Sequence, residues 1–193
     1  MDEPTAVWSA DFKGHFRMGT GAYCYPLTIQ DGASRCLLGC HGMLEPTIEG
    51  SRPVFERLFR RYGLPARLRT DNGAPFASSA LGRLSTLSVW WVRLGILPDL
   101  IEPAHPQQNG RHERRHRTLK AETARPPEAT LEAQQRRFDR CRRRYNQVRP
   151  HESLNDATPA SCYTASPRPY PRQLPARREI LTERQIHQQT ESL

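Results

Sequence analysis

The order of strand-like and helix-like segments constrains the fold of this chain more than any other feature. Val7 to Lys13 alternates side chains with a period of two, which indicates a strand. Two further strand-like runs follow, at Tyr23 to Ile29 and at Arg35 to Cys40, and the turn pair Asp31-Gly32 separates them. We therefore expect the chain to begin with an antiparallel meander.

Helices alternate with short strands after this meander. Apolar residues from Val54 to Tyr62 recur at helical spacing, Gly63 is a typical helix stop, and Ser79 to Leu94 is the next predicted helix. Short strands are expected at Ala66 to Thr70 and around Leu100. Three strands followed by alternating helices and strands predict a mixed sheet with helices on its faces, an α/β fold.

The second half of the chain is predicted to be helical and basic. Gln107 to Ala124 has a helical pattern that Pro126-Pro127 interrupts, and Thr130 is a plausible N-cap for the next helix. The apolar stripe of that helix comprises Leu131, Phe138, Cys141, Tyr145 and Val148, and its other face carries Arg136, Arg137, Arg140, Arg143 and Arg144.

Prolines restrict the backbone at two places in the chain. Pro53 precedes the first predicted helix residues, so it must lie in the first turn of that helix or kink it. Ser166 to Pro171 is rich in proline and should be extended.

We expect residues 5–165 to form the core domain and residues 166–193 to form a polar, poorly ordered tail.

Composition and charge favour nucleic acid as a partner. At 193 residues the chain can form one domain with a full core. Residues 1–105 hold 11 basic and 10 acidic residues, a net charge of +1, whereas residues 106–193 hold 18 and 10, a net charge of +8. A basic half suggests a polyanion. The sequence shows neither a membrane span nor an export signal, so we expect a cytoplasmic protein.

The five cysteines do not form a metal-binding pattern. Cys36-Leu-Leu-Gly-Cys40-His41 invites a zinc interpretation, but no second Cys/His pair lies at ligand spacing. Because Cys36 and Cys40 lie in an apolar run, we favour buried free thiols.

Three acidic residues lie in short, distinctive contexts. Asp11 follows Trp8 in a strand, Asp71 precedes Asn-Gly at the end of another strand, and Glu113 lies on the basic helix. If the two strands are neighbours, Asp11 and Asp71 converge at one edge of the sheet. Carboxylates of this kind bind hard cations such as Mg²⁺, and a pair of such ions promotes phosphoryl transfer. The three residues are therefore candidates for a metal site.

Each residue also has an ordinary structural interpretation. Asp before Asn-Gly commonly forms a turn, and Glu113 among arginines is also typical of a solvated helix face. Asp11 is harder to explain in this way, because Asp is disfavoured inside an apolar strand. On the helix, one stripe at helical spacing contains Asn109, Glu113, His116, Arg117 and Lys120.

The flanking motifs resemble those of DDE-type integrase and transposase catalytic cores, the retroviral-integrase-like proteins of insertion sequences. The matching pieces are Trp8-x-x-Asp-Phe-Lys-Gly14, Tyr62-Gly-Leu-Pro65, Arg69-Thr-Asp-Asn-Gly-x-Pro-Phe76, His105-Pro-x-x-Asn-Gly-x-x-Glu113, His116-Arg-Thr-Leu-Lys120, Tyr145-Asn-x-x-Arg-Pro-His-Glu-Ser-Leu154 and Thr158-Pro-Ala160. The resemblance implies a ribonuclease-H-like fold with a mixed five-stranded sheet flanked by helices. It also implies two Mg²⁺ or Mn²⁺ ions held by Asp11, Asp71 and Glu113.

The resemblance also implies a function and its partners. The expected activity is cleavage and strand transfer of insertion-sequence ends, with DNA as partner and homo-oligomers formed on it. Asn109 and Lys120 would orient substrate or metal-bound water, and DNA contacts are expected from Arg114, His116 and Arg117. No N-terminal helix-turn-helix region is recognisable, so the chain is expected to be a bare catalytic core or a truncated copy. A catalytically incompetent DNA-binding or regulatory fragment is the alternative, and a structure-selective nuclease on the same fold is a third possibility.

Overall fold

A mixed β-sheet with helices on its faces organises the protein in a computed structural model that describes residues 4–12, 14–71, 73–78, 84–100 and 122–174. The strands are β1 (Val7–Phe12), β2 (Phe16–Arg17), β3 (Tyr23–Asp31), β4 (Leu37–Met43), β5 (Arg67–Thr70) and β6 (Leu97–Leu100). The helices are α1 (Ile48–Tyr62), α2 (Thr86–Arg93) and α3 (Leu131–Gln147), and a short 3-10 helix spans Glu152–Leu154. The predicted α/β architecture is confirmed.

The sheet combines an antiparallel half with a parallel half. Strand β3 pairs antiparallel with both β1 and β4, which confirms the predicted meander. Strand β5 lies parallel between β1 and β6. The described residues form six strands instead of the five predicted, because the first strand is split. Three residues lie between Phe12 and Phe16, whereas two lie between their partners Leu27 and Cys24, so one extra residue interrupts the ladder.

Aromatic side chains fill the core between the sheet and helices α1 and α2. Trp8 from β1 stacks on Phe59 at 5.8 Å between ring centroids, and Phe55 contacts Trp91 edge-on at 5.1 Å. These four side chains are fully buried. Since burying one large apolar side chain contributes about 1.5–3 kcal/mol, this cluster is a major source of stability.

Helix α1 begins earlier than its apolar repeat suggested. The Thr47 hydroxyl accepts a hydrogen bond from the Gly50 N–H at 3.2 Å and caps the helix before Ile48. Pro53 is consequently the sixth helical residue, so the first of the two predicted alternatives, a place in the first turn, is wrong. The helix ends at Tyr62, and Gly63 follows at φ +76°, as its predicted role as a stop requires.

Helix α2 is shorter than the predicted span of Ser79 to Leu94. The Ser85 hydroxyl accepts a hydrogen bond from the Ser88 N–H at 3.2 Å, and the helix begins at Thr86. Leu84 lies before the cap and forms an isolated bridge with Ala77. A serine that caps a helix prevents the helical pattern upstream from continuing into it. Residues 79–83 lie outside the described residues.

Helix α3 packs on the opposite face of the sheet from α1 and α2. Thr130 caps it as predicted, because its hydroxyl accepts from the Ala133 N–H at 3.3 Å. Phe138 is fully buried and packs with Cys24 and Cys40. Val148 is 67% exposed and follows the last helical residue, so its assignment to the apolar stripe is wrong.

Two amide side chains of α3 cover the outer edge of β4. Gln135 accepts from the Gly42 N–H at 2.9 Å and donates to the Cys40 carbonyl at 2.9 Å. Asn146 accepts from the Leu37 N–H at 2.8 Å and donates to the Leu37 carbonyl at 2.9 Å. These side chains satisfy backbone groups that an edge strand otherwise leaves open.

Residues 166–174 pack on the core. The Arg168 guanidinium donates to the carbonyl oxygens of Pro65 at 3.0 Å, Leu94 at 3.2 Å and Gly95 at 2.8 Å. The Arg168 carbonyl accepts from the Leu64 N–H at 2.8 Å. The domain boundary expected after residue 165 stays a prediction, and residues 175–193 lie outside the described part. No helix among the described residues has the length and apolar character needed to cross a bilayer.

Candidate active site

Asp11 and Asp71 lie at the same edge of the sheet. Strands β1 and β5 are parallel neighbours, and Ala10 pairs with Thr70. Each of these residues is followed directly by one of the two aspartates. Because neighbouring strands lie about 4.8 Å apart, the backbone brings the two residues to adjacent positions. The strand arrangement on which their convergence depends is therefore present.

Local hydrogen bonds hold the backbone around each aspartate. The Thr28 hydroxyl donates to the Asp11 carbonyl oxygen at 3.2 Å, which ties this end of β1 to β3. The Gly73 N–H donates to Asp71 Oδ1 at 3.2 Å, the pattern of an Asx turn. Asp71 therefore forms the turn that its Asn-Gly context indicated and also lies at the candidate site. Both aspartate residues are half-buried.

A buried aromatic contact fixes the loop after β5 against β1. Phe76 is fully buried and lies 5.6 Å from Phe12 between ring centroids. The Phe76 and Ala77 N–H groups both donate to the Gly73 carbonyl, at 3.0 and 3.1 Å. Sequence reasoning gave neither Thr28 nor Phe76 a role. The position of Phe76, five residues after Asp71, could have indicated that it lies near the candidate site. No local pattern in the sequence pointed to Thr28.

The other predicted site residues lie outside the described residues. These are Glu113, the proposed third metal ligand, and the proposed DNA contacts Asn109, Arg114, His116, Arg117 and Lys120. Their roles stay predictions. Within the described ranges no group of three or more metal-ligating side chains comes together.

The donor chemistry of this edge fits a hard divalent cation. Asp11 and Asp71 offer carboxylate oxygens, the ligand type that Mg²⁺ and Mn²⁺ prefer. Mg²⁺ usually takes one or two protein carboxylates and completes its shell with water and substrate phosphate. A third carboxylate from Glu113 is compatible with such a set.

The arginine face of α3 is partly neutralised. Arg137 and Arg140 lie 3.6 and 3.9 Å from the Glu128 carboxylate. Arg137 also donates to the Glu122 carbonyl at 2.9 Å, which fastens the helix to the preceding segment. Arg136, Arg143 and Arg144 are exposed. This face is consequently less basic than its sequence suggested.

The buried cysteines are held in the thiol form. Cys36 and Cys40 are buried, as predicted, and burial raises the pKa of Cys36 to about 11 and that of Cys40 well above its ordinary value. The pKa of His41 is lowered by burial and by the nearby charge of Arg57. Cys40 and His41 are consecutive on β4, so their side chains point to opposite faces of the sheet.

The Tyr145-Asn-x-x-Arg-Pro-His151 motif has a structural role. Tyr145 contacts His151 edge-on at 4.8 Å between ring centroids. The Asn146 carbonyl accepts from the Ala160 N–H at 2.9 Å, and the His151 N–H donates to the Ala157 carbonyl at 3.1 Å. The motif therefore folds residues 151–160 back on the end of α3.

Two descriptions of known protein families match this sequence. Residues 2–106 match the integrase core domain, and residues 94–159 match a second family description that is also called integrase core domain. The first match alone covers more than half of the 193 residues.

Relatives include proteins of insertion elements and retroviruses. An uncharacterized 39.2 kDa protein of insertion element IS476 from Xanthomonas euvesicatoria is 37% identical over 99 residues, which is 51% of this chain. The Gag-Pol polyprotein of feline leukemia virus is 31% identical over 117 residues, which is 61% of this chain. The matched segments span only 27% and 6% of those two relatives.

Solved structures share the fold. The HTLV-2 integrase catalytic core domain in complex with magnesium, in its trimeric form, superposes with a TM-score of 0.65 at 16% identity, covering 84% of this chain and 98% of that one. The catalytic core domain of BIV integrase gives 0.58 at 22% identity and covers 82% and 93%. A simian T-cell lymphotropic virus intasome chain gives 0.68 at 17% identity and covers 90% and 60%. The protein therefore has the ribonuclease-H-like fold of integrase cores.

Proposed function

This chain belongs to the integrase core domain family, and from that premise we propose that it cuts and joins DNA strands by metal-dependent phosphoryl transfer. One observation carries the proposal: β1 and β5 pair in parallel, and Asp11 and Asp71 follow the paired residues Ala10 and Thr70. The insertion-element relative supports transposition as the biological setting.

In this proposal Asp11, Asp71 and Glu113 hold two Mg²⁺ or Mn²⁺ ions. When bound, such ions activate an attacking oxygen and stabilise the charge that develops on the leaving oxygen. The carboxylates of Asp11 and Asp71 supply fixed negative charge at one end of a rigid sheet. Positioning by rigid elements is what phosphoryl transfer requires of a protein.

The proposed reaction has two displacements at phosphorus. In the first, a water oxygen attacks a phosphodiester at the element end, the bond to the 3′ oxygen breaks, and a 3′-OH and a 5′-phosphate remain. In the second, that 3′-OH attacks a target phosphodiester, forms the new strand junction and displaces a target 3′ oxygen. Neither step needs a covalent bond to the protein.

Other residues are proposed to hold the DNA. Asn109 and Lys120 would orient the substrate, and Arg114, His116 and Arg117 would contact phosphates, which provide register rather than sequence recognition. We also propose that the chain assembles as a homo-oligomer on DNA. Structures of related cores described as trimeric and dimeric, together with an intasome, support this part of the proposal.

Nicking of supercoiled plasmid in Mg²⁺ or Mn²⁺ tests the proposal. We expect Asp11→Asn and Asp71→Asn to lower the nicking rate by at least about a hundredfold, since each removes charge from the reacting centre. Asp156→Asn, which makes the same change at an exposed residue remote in sequence, should retain wild-type activity. Circular dichroism checks that all three variants are folded. Nicking by Asp71→Asn at the wild-type rate, or no nicking by the wild type with either metal, contradicts the proposal.

A further inference from the structure

Three aromatic rings, two of them exposed and one half-buried, form a cluster beyond the end of β1. His15 lies 4.9 Å from Tyr23 and 5.2 Å from Tyr25 between ring centroids, and the two tyrosine rings lie 6.4 Å apart. The Arg17 guanidinium lies over the Tyr23 ring, 5.0 Å from its centroid, so it covers one face of that ring and leaves the other face for a ligand. We call His15, Tyr23, Tyr25 and Arg17 the aromatic cluster.

The rings of this cluster do not stack flat on one another. His15 meets Tyr23 at 85°, and the other two ring pairs are inclined at 42° and 57°. An edge-on contact leaves both faces of one of the two rings uncovered by its partner. Among the tyrosine, phenylalanine and tryptophan residues that the structure describes, Tyr23 is the most exposed at 40%.

The hairpin formed by β2 and β3 carries Arg17, Tyr23 and Tyr25, and hydrogen bonds hold it in place. Within it, the Met18 N–H donates to the Ala22 carbonyl at 2.9 Å, and the Gly21 N–H donates to the Met18 carbonyl at 2.9 Å. The Gly19 N–H also donates to the Glu128 carbonyl at 3.0 Å, which ties the hairpin to the segment before α3. Ring positions fixed in this way lower the entropic cost of binding a flat ligand.

The cluster and the candidate active site are linked by strand β3. Asp11 pairs with Thr28 on β3, and Tyr25 and Tyr23 lie three and five residues away along that strand. At about 3.4 Å per residue these intervals are roughly 10 and 17 Å. A stacked DNA strand advances about 3.4 Å per nucleotide, so a strand needs at least about three to five nucleotides to reach from Asp11 to the cluster. Tyr23 and Tyr25 share the sheet face opposite Asp11, so the strand must cross the end of β1.

We propose that the aromatic cluster is a stacking site for unpaired nucleobases of a DNA strand that passes the Asp11–Asp71 edge. The inference rests on the proposed function only in taking DNA as the substrate. Aromatic faces beside a cation are the general means by which proteins hold single strands without sequence preference. Cutting near the end of a duplex brings frayed bases to this position, and a ring such as Tyr23 replaces their lost stacking partner.

Burial of the rings against the protein does not account for the cluster. The core aromatic side chains Trp8, Phe55 and Phe59 are completely buried, whereas His15, Arg17 and Tyr23 are exposed. An exposed ring adds little to folding stability, because its apolar surface stays in water. Binding of a planar partner is the use that fits both the exposure and the rigid mounting.

Binding of a single-stranded oligonucleotide tests the inference without any cleavage. Fluorescence anisotropy is measured in EDTA with the Asp71→Asn protein, so that neither metal binding nor nicking affects the result. We expect Tyr23→Ala to weaken binding by about 5- to 150-fold, the range for loss of one stacked base. Tyr23→Phe should bind like the parent protein. Tyr170→Ala is the control, because the Tyr170 ring also lies beside a guanidinium, 4.5 Å from that of Arg60, but is half-buried and packs on the core.

Salt dependence separates stacking from a charge effect. Since tyrosine carries no charge, Tyr23→Ala should leave the slope of log affinity against log salt unchanged. Affinity within twofold of the Tyr170→Ala control overturns the inference, and so does a loss of affinity accompanied by a lower salt slope. Failure of plasmid nicking would refute the proposed function and would leave this binding result intact.

Discussion

Asn146 provides the sharpest test of how α3 is held on the sheet. Its side chain is almost completely buried and forms two hydrogen bonds with one residue, accepting from the Leu37 N–H at 2.8 Å and donating to the Leu37 carbonyl at 2.9 Å. Asn146→Ala leaves both backbone groups of Leu37 without these partners. An unsatisfied buried polar group costs about 1–3 kcal/mol, so the substitution should lower the free energy of unfolding by about 2–5 kcal/mol.

Denaturant and thermal unfolding, both followed by tryptophan fluorescence, measure this effect. Trp8, Trp90 and Trp91 are all buried, so their emission reports exposure of the core. For a chain of this size, 1 kcal/mol corresponds to roughly 2–4 °C in Tm, so Asn146→Ala should melt about 4–20 °C lower than wild type. Gln147→Ala is the matched control, since Gln147 is the next residue in the same helix and is exposed. A difference of less than about 0.5 kcal/mol between the two variants would refute the reasoning.

Asn146→Asp adds a signature that loss of packing cannot imitate. Its carboxyl group must be protonated to donate to the Leu37 carbonyl, so folding should raise the pKa of this group above its unfolded value of about 3.9. The variant is then closest to wild type in stability below about pH 4, and it loses stability as pH rises through the unfolded pKa. If the stability difference between Asn146→Asp and wild type is independent of pH between 3 and 7, the hydrogen-bond assignment is contradicted.

Two further predictions concern a glycine and the buried thiols. Gly63→Ala should lower the free energy of unfolding by more than about 2 kcal/mol, because an added Cβ meets the Ser166 carbonyl oxygen at 2.6 Å in addition to the strain at φ +76°. Gly21→Ala, at φ +84° with open space around it, should lower the free energy of unfolding by only about 1–2 kcal/mol. If chemical denaturation shows equal losses for the two variants, the contact of the added Cβ with Ser166 is not the cause. Burial raises the pKa of Cys24 to about 11, so a thiol reagent at pH 8 should label Cys24 only when the chain unfolds. Rapid labelling of native Cys24, mapped by mass spectrometry, would contradict its burial.

Local patterns in the sequence were sufficient for much of the fold. Alternation in Val7–Phe12 predicted β1, and helical spacing with Gly63 predicted α1 and its end. The predicted starts of helices were less accurate, because the capping residue decides where a helix begins. Thr47 lets α1 begin six residues before Val54, whereas Ser85 delays α2 to Thr86.

Non-local features could not be predicted from these patterns. Parallel pairing of β1 with β5 joins segments about sixty residues apart, and nothing in either segment specifies its neighbour. The amides of Gln135 and Asn146 appear polar in an amphipathic pattern, yet they lie against the sheet because β4 offers unpaired backbone groups there. For the candidate site, the sequence indicated Asp11 and Asp71, and the sheet register explains how they become neighbours.

Anomalous diffraction from crystals soaked in Mn²⁺ tests the central claim most directly. We predict an anomalous peak within about 2.0–2.3 Å of carboxylate oxygens from both Asp11 and Asp71, with Glu113 completing the protein ligands. The peak should disappear in Asp71→Asn crystals prepared in the same way. Mn²⁺ bound elsewhere, or Asp11 and Asp71 side chains that share no ion at saturating metal, would contradict the account.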